Sequence, residues 1–299
     1  MKGTNTKPIL INGYPRSGTT FIYFQLLKNF GNAVSEPLNP NFLYYVLQHD
    51  KEFKLTKQAK IVHHAFSKEE LEYATKVHKQ LLKPIYFELL YKHPNKDGFY
   101  RWLYDTDNAL IDYLKLLKGF HIKEISLHLY LAHPFIQENW EVYHIIRHPI
   151  DVLASLCSII VKQNKLHKFL LLLVESHPKI KEILSKIRPI NVDFHHIIRN
   201  AQLLLRVLRY NDYIPKTFFE CFVYTWVVTN YMAIISLPKD KIIIYNKPNT
   251  LKRLPITLFD KFKVKYYPKA RELLQYKFEN IVHKLELEYE YNFVMKYVQ

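Results

Sequence analysis

The chain has 299 residues, of which 48% are apolar, so it can bury a substantial core and is not expected to be disordered. Its 43 Lys and Arg against 27 Asp and Glu give a formal net charge of +16, which favours anionic partners, although a Lys-rich solvated surface explains most of the excess. Two cysteines are too few for a disulfide framework. The polar N-terminus and the lack of an apolar segment of ~20 residues predict a soluble, cytoplasmic protein without a membrane span.

A strand, a loop and a helix are predicted in that order at the start of the chain. The apolar run at 8–13 predicts the strand, and apolar residues at helical spacing predict the helix over 19–30. A second short strand is predicted at 33–35. It ends before Pro37, which biases Glu36 toward an extended conformation.

Three further strands are predicted along the chain, at 120–125, 141–147 and 241–245. Pro149 opens a helix, because its fixed φ suits a first helical turn, and a C-terminal amphipathic helix is predicted over 269–287. Asp151 near the start of the Pro149 helix complements the helix dipole.

Long helical stretches separate the predicted strands. The segments 41–118 and 160–235 are largely helical, broken by prolines. Such an order implies crossover connections, so we predict an α/β fold with a P-loop-like, mostly parallel sheet flanked by helices. We expect a single domain over 1–299 with helical insertions at about 41–118 and 160–215, which would form an acceptor pocket and a lid.

The loop between the first strand and the first helix has the spacing of a P-loop, G-x-x-x-x-G-x-[ST], from Gly13 to Thr20. Inward-pointing N–H groups in such a loop, with the positive end of the helix, bind phosphate-type oxygens. The alternative is a tight turn capped by Ser17 or Thr19. Arg16 within the loop and the hydroxyls of Thr19 and Thr20 favour the anion-binding interpretation.

An ordinary nucleotide triphosphatase differs from this chain at two points. It carries Lys where Thr19 stands, and an Asp at a later strand end holds magnesium. Here the strand at 141–147 ends in Arg147 instead. The pattern therefore predicts an anion site built from protein cations without a metal, and no spacing among the histidines and cysteines indicates a metal site.

Two separated motifs resemble the sulfotransferase superfamily. Pro15-Arg-Ser-Gly-Thr-Thr20 is similar to its 5′-phosphosulfate loop, and Tyr143-His-Ile-Ile-Arg147-His-Pro-Ile-Asp-Val-Leu-Ala-Ser155 is similar to its 3′-phosphate motif. His148 replaces a commonly acidic residue of that motif. The resemblance is closer to the carbohydrate and bacterial-type branch than to the small-molecule cytosolic branch, whose Gly- and Lys-rich C-terminal segment is absent.

A weaker part of the resemblance covers Tyr224-Thr-Trp226, Asn230 and the strand that ends at Tyr245. Asn246 stands where the family usually has an acidic residue. Core packing is therefore the better explanation of Tyr245.

The resemblance implies a sulfuryl transfer from 3′-phosphoadenosine 5′-phosphosulfate (PAPS), leaving 3′,5′-bisphosphoadenosine, to a hydroxyl or amine of a small molecule, glycan or peptide. In this scheme Arg16 stabilises the leaving bridging oxygen, and Arg147 with Ser155 clamps the 3′-phosphate. The remaining contacts to the 5′-phosphate are assigned to loop residues 17–20, namely Ser17, Gly18, Thr19 and Thr20.

An acceptor hydroxyl also needs a base. Glu36 is the first candidate, because Ser35-Glu-Pro-Leu38 resembles the Glu-Pro element of carbohydrate sulfotransferases. Lys123 is a candidate to stabilise the transferring group, and His121 is a second base, since ligands bind beyond the carboxyl ends of parallel strands. Taken singly, a surface lysine and a satisfied core histidine remain the simpler interpretations.

Two rival functions are weighed against the sulfotransferase. A P-loop nucleotide or small-molecule kinase is disfavoured by the missing loop lysine and acidic metal ligand. A non-catalytic nucleotide- or nucleic-acid-binding protein with a degenerate loop would use the +16 charge, but a nucleic-acid partner is not expected.

Overall fold

A computed structural model describes residues 7–37, 109–125, 127–162, 215, 217–260 and 267–299, with isolated positions at 69, 76, 80 and 81. Most of the predicted helical insertions at 41–118 and 160–215 therefore lies outside the described residues.

The framework is a five-stranded parallel sheet with flanking helices, which confirms the predicted α/β class. Its strand order is β2-β3-β1-β4-β5. The strands are β1 (Ile9–Gly13), β2 (Ala33–Ser35), β3 (His121–Glu124), β4 (Glu141–Ile146) and β5 (Ile242–Ile244). Each lies within one residue of its predicted bounds. For β1, β4 and β5 the reason is that an apolar run buried on both faces is a clear strand signal.

The chain divides into two compact units. Unit 1 comprises 1–13, 18–144 and 252–262, and unit 2 comprises 14–17, 145–251 and 263–299. The single-domain organisation expected from the sequence stays a prediction.

Unit 1 is organised around β3, which pairs in parallel with β1 and β2. Ile122 lies level with Leu10 on one side and Val34 on the other, and all three are fully buried. The described helices of this unit are α1 (Thr19–Phe30), α2 (Ala109–Leu116) and α3 (Pro134–Asn139).

Helix α1 has the predicted bounds because a glycine stands at each end. Gly18 is its N-cap with φ 94°, and Gly31 ends it with φ 73° and donates its N–H to the carbonyl of Leu27. Only glycine adopts such angles at little cost.

Unit 2 contains the helices α4 (Pro149–Lys162), α5 (Phe218–Ser236), α6 (Pro268–Lys284) and α7 (Glu288–Val298), with two short 3₁₀ turns. Helix α5 is long and apolar enough to cross a membrane, yet 83% of its apolar window is buried inside the protein. A capping box between Thr217 and Glu220 starts it. This burial is typical of a central core helix.

The structure differs from the sequence prediction at the C-terminus. The helix predicted over 269–287 corresponds to α6, which ends at Lys284, three residues earlier. Glu286 has φ 54°, so the chain turns there, and α7 follows beyond the predicted range. Helix ends are the least certain feature of a periodic pattern.

Candidate active site

Arg147 directly follows β4 and is almost fully buried. Its Nη1 donates to the backbone carbonyl of Arg16 at 3.0 Å. Its own carbonyl accepts a hydrogen bond from the indole N–H of Trp226 on α5, at 3.2 Å. The predicted 3′-phosphate residue is therefore fixed at the strand end and tied directly to the phosphate loop.

Arg16 also contacts the second predicted 3′-phosphate residue. Its Nε donates to the hydroxyl of Ser155 on α4 at 3.3 Å. Arg16 has φ 70°, a left-handed angle that costs a non-glycine residue about 1–3 kcal/mol and is concentrated at functional sites. The structure thus brings Arg16, Arg147 and Ser155 into one cluster within unit 2, although Arg147 and Ser155 are more than 130 residues from Arg16 in the chain.

The loop itself departs from a simple capped turn. The N–H of Ser17 donates to the carbonyl of Tyr14 at 3.0 Å, so Ser17 can offer a ligand its hydroxyl but not its amide. That hydroxyl is buried and has no hydrogen-bond partner among the described residues. Gly18 caps α1 without any side-chain hydrogen bond. The alternative of a turn capped by Ser17 or Thr19 is therefore wrong, because neither side chain caps the helix.

Helix α1 begins at Thr19, which is buried, and continues with the half-buried Thr20. The first N–H groups of an α-helix have no partner within the helix. Together with the positive end of the helix dipole, they form a place for an anion.

In unit 1, Glu36 and Lys123 form an ion pair between carboxylate and ammonium. Lys123 lies on β3 level with Ser35 of β2, and its side chain is 2% exposed, against 28% for Glu36. The backbone N–H of Glu36 also donates to the carbonyl of Lys123 at 2.6 Å. Lys123 is thus a buried, paired cation, and its interpretation as a surface lysine is wrong.

Glu36 has φ 48°, so the prediction that Pro37 keeps it extended is also wrong. The preference of a residue before proline is weak compared with the two contacts that Glu36 makes to Lys123. These contacts turn the carboxylate back onto β3. Non-glycine residues with such a left-handed φ are concentrated at functional sites.

His121 makes contacts of its own at the start of β3. Its Nδ1 accepts the N–H of Ile9 at 3.0 Å. Its ring stacks on Phe30 with centroids 3.9 Å apart. Burial lowers the pKa of His121 to about 4, so it is neutral near pH 7. These contacts favour the structural interpretation of His121 over the catalytic one.

Sequence analysis missed two residues near Arg147, namely Tyr267 and Arg271, and assigned smaller roles to Tyr245 and Asp151. The Arg147 guanidinium carbon lies 4.4 Å from the ring centre of Tyr245 and 5.8 Å from that of Tyr267. Core packing therefore describes only part of what Tyr245 does. Asp151, assigned to the helix dipole, accepts hydrogen bonds from Arg271, and nothing in the sequence pairs residues so far apart.

His148 stands where the resembled motif is commonly acidic. Burial, with a further contribution from Arg271, lowers the pKa of His148 to about 4. Its Nδ1 accepts the N–H of Ile150 at 3.3 Å, which leaves the proton of the neutral ring on Nε2. A cavity of about 440 Å³ beside it is also lined by Asn246, Lys247 and Arg271.

Among the described residues, no group of three or more His, Cys, Asp or Glu side chains could hold a metal ion. A metal-independent site stays a prediction.

Comparison with known proteins completes the description of the site. Residues 8–206 match the sulfotransferase family, a span that includes the phosphate loop, Glu36, Lys123, Arg147 and Ser155. No curated protein matches the chain. The match covers more than half of the sequence, so the chain belongs to the sulfotransferase family.

Proposed function

Starting from this family membership, we propose that the protein transfers a sulfuryl group from PAPS to a hydroxyl or amine of an acceptor, without a metal ion. The acceptor classes are a small molecule, a glycan or a peptide. We also propose a cytoplasmic setting and a place in the carbohydrate and bacterial-type branch, as the sequence resemblance implies.

The contact of Arg147 and Ser155 with Arg16 is the observation that carries this proposal. A nucleotide with phosphate groups at both its 3′ and 5′ positions needs cations and donors at two points, and these residues supply them within one cluster. Arg147 and Ser155 bind the 3′-phosphate, and Arg16 binds the phosphosulfate. An arginine side chain keeps its positive charge at physiological pH, so a cluster with two arginines attracts a ligand that carries several negative charges.

The loop supports the same donor. The buried hydroxyl of Ser17 lacks a partner among the described residues, and a buried polar atom without a hydrogen bond costs about 1–3 kcal/mol. An oxygen of the 5′-phosphate would accept a hydrogen bond from this hydroxyl and so remove the cost of burying it unpaired. The N–H groups at the start of α1 and the side chains of Thr19 and Thr20 bind the other oxygens.

PAPS supplies a sulfuryl group whose S–O bond to the bridging phosphate oxygen breaks as a bond from sulfur to the acceptor atom forms. The bonding electrons remain on the bridging oxygen, where negative charge develops. Arg16 stabilises that charge with its guanidinium, and Lys123 stabilises the transferring group.

The Glu36 carboxylate takes the proton of the acceptor hydroxyl. Its ion pair with Lys123 supports this assignment by geometry, because the ammonium holds the carboxylate near the carboxyl end of β3, where parallel sheets bind their ligands. His121 is the weaker candidate for the base, because Ile9 already occupies its Nδ1.

Ligand-dependent stability and transfer of labelled sulfate test the proposal together. We expect 3′,5′-bisphosphoadenosine to raise the melting temperature in the presence of EDTA, and labelled PAPS to donate sulfate in a panel of phenolic, sugar and amine acceptors. Stabilisation by Mg·ATP but not by the bisphosphate would indicate a kinase. Binding of nucleic acid with no affinity for the bisphosphate would indicate a non-catalytic protein, and either result contradicts the proposal.

A further inference from the structure

Two aromatic rings and a carbonyl oxygen surround the guanidinium of Arg147. The rings belong to Tyr245 and Tyr267, 4.4 Å and 5.8 Å from the guanidinium carbon, and the carbonyl belongs to Arg16. Aromatic faces attract a guanidinium by cation–π interaction and stack along its plane. The N–H donors of a guanidinium lie in its plane, so packing against two rings restricts the directions in which the Arg147 donors point.

The two tyrosines are held in different ways. Tyr245 directly follows β5, and its backbone N–H donates to Ile146, the last residue of β4, at 2.8 Å. Tyr245 is therefore part of the sheet framework. Tyr267 instead immediately precedes α6.

Asp151 is the residue that holds Tyr267. Its Oδ1 accepts the backbone N–H of Tyr267 at 3.3 Å, and its two carboxylate oxygens accept Nε and Nη2 of Arg271 at 3.1 and 2.6 Å. Asp151 is completely buried, whereas the Arg271 side chain is 31% exposed, so the bidentate pair joins a buried carboxylate to a half-buried guanidinium. The start of α6 is thereby fixed to α4, four residues after Arg147.

Tyr267 and Arg271 lie beyond residue 206, where the family match ends. The C-terminal part of the chain therefore contributes to the surroundings of a residue that belongs to the matched part. A helix that served only to cover the core would not need a ring against a buried arginine.

We propose that Tyr267 is a positioning residue, held by Asp151 and Arg271, which orients the Arg147 guanidinium toward the 3′-phosphate of the nucleotide. This inference rests on the proposed function. Tyr267, at the start of α6, thereby helps the protein to select nucleotides that carry a 3′-phosphate over nucleotides that lack one. Tyr245 supplies the fixed side of this cradle, the two rings that flank the Arg147 guanidinium, and Tyr267 supplies the side that depends on α6.

The test measures binding of 3′,5′-bisphosphoadenosine and of adenosine 5′-monophosphate to the full chain by titration calorimetry. Tyr267→Leu is expected to weaken binding of the bisphosphate by about 5–30-fold, because the cation–π contact is lost. Binding of the monophosphate, which has no 3′-phosphate, should change by less than about twofold. Tyr267→Phe keeps the ring and should restore the affinity, and Tyr276→Leu, at a 75% exposed position of α6, is the matched control.

A second measurement separates positioning from a loss of folding. In an Arg147→Ala background, Tyr267→Leu should have no further effect on the bisphosphate, since Tyr267 acts through Arg147. Equal bisphosphate affinity of Tyr267→Leu and the wild-type protein overturns the inference alone, as does an equal loss for both nucleotides. A wild-type protein that does not bind the bisphosphate overturns the proposed function, and the inference falls with it.

Discussion

Lys123 in unit 1 and Arg147 in unit 2 are both buried cations next to parallel strands, yet their surroundings differ. Lys123 is paired with the carboxylate of Glu36, whereas Arg147 contacts a carbonyl oxygen and the faces of two aromatic rings. A carboxylate partner offsets the charge and can exchange a proton. A carbonyl oxygen and aromatic rings orient a guanidinium, so the first arrangement suits acid–base chemistry and the second suits holding hydrogen-bond donors toward an anion.

Glu36→Gln tests the proton-exchanging side of this comparison and has the largest expected effect. The amide cannot take a proton, so turnover should fall by about 10²–10⁴-fold. Affinity for 3′,5′-bisphosphoadenosine should remain the same, because the amide oxygen still accepts a hydrogen bond from Lys123. Steady-state kinetics and calorimetry measure the two effects, with the exposed Glu138→Gln as the control. Full activity would transfer the role of base to another residue.

Arg147→Ala tests the anion-binding side. Loss of a charged hydrogen-bonding partner should weaken binding of 3′,5′-bisphosphoadenosine by about 10–150-fold, while adenosine 5′-monophosphate binds nearly as before. Titration calorimetry with both nucleotides measures this difference, and Lys239→Ala at an exposed position removes a charge elsewhere in unit 2. An unchanged affinity for the bisphosphate would contradict the assignment of Arg147.

Unit 1 also contains a buried titratable side chain that is neutral, His128, which contrasts with the buried cations Lys123 and Arg147. His128 is buried, its Nδ1 has no hydrogen-bond partner within the described segments, and burial together with His144 lowers its pKa to about 3. The unfolded chain, with a histidine pKa of about 6.5, binds the proton more readily than the folded chain. This contribution to stability is therefore present above about pH 6.5 and is lost as the pH falls toward about 3.

The expected size of the His128 effect is about 2 kcal/mol of unfolding free energy between pH 6.5 and pH 5. Urea unfolding at both pH values measures it, and His128→Leu should reduce the loss because it removes the titrating group. The same loss of stability in both proteins would show that His128 does not titrate in this range.

Ser17→Ala has the smallest expected effect, and its two consequences have opposite signs. Removing a buried hydroxyl without a hydrogen bond should stabilise the ligand-free protein by about 1 kcal/mol, yet weaken binding of 3′,5′-bisphosphoadenosine by about tenfold. Ser155→Ala is the matched comparison, because that hydroxyl accepts from Arg16 and its loss should stabilise neither state. Thermal unfolding with and without the bisphosphate distinguishes the two variants.

The local elements of this protein could be predicted from the sequence because their signals are local. An apolar run predicts a buried strand, Gly18 and Gly31 bound α1 on the two sides, and Pro149 starts α4 at its predicted position. The phosphate loop was identified by its spacing and by the strand and helix around it. These properties depend on residues within about ten positions of one another.

The contacts of the other candidate site residues were decided by the tertiary structure. Which strands are neighbours decides the ion pair of Glu36 with Lys123 and the φ of 48° at Glu36. It also decides that the N–H of Ile9 donates to the ring of His121. The same is true of the cradle of Arg147, whose rings come from the end of β5 and the start of α6.

The sequence by itself determined the α/β class and the positions of the loop and of the motif from Arg147 to Ser155. Only the tertiary structure decided that Arg147 and Ser155 both contact Arg16. It also decided that Asp151 fixes the start of α6. The physical reason is that strand and helix signals arise from neighbouring residues. Hydrogen bonds and ring contacts between distant residues form only once the sheet and its helices have packed.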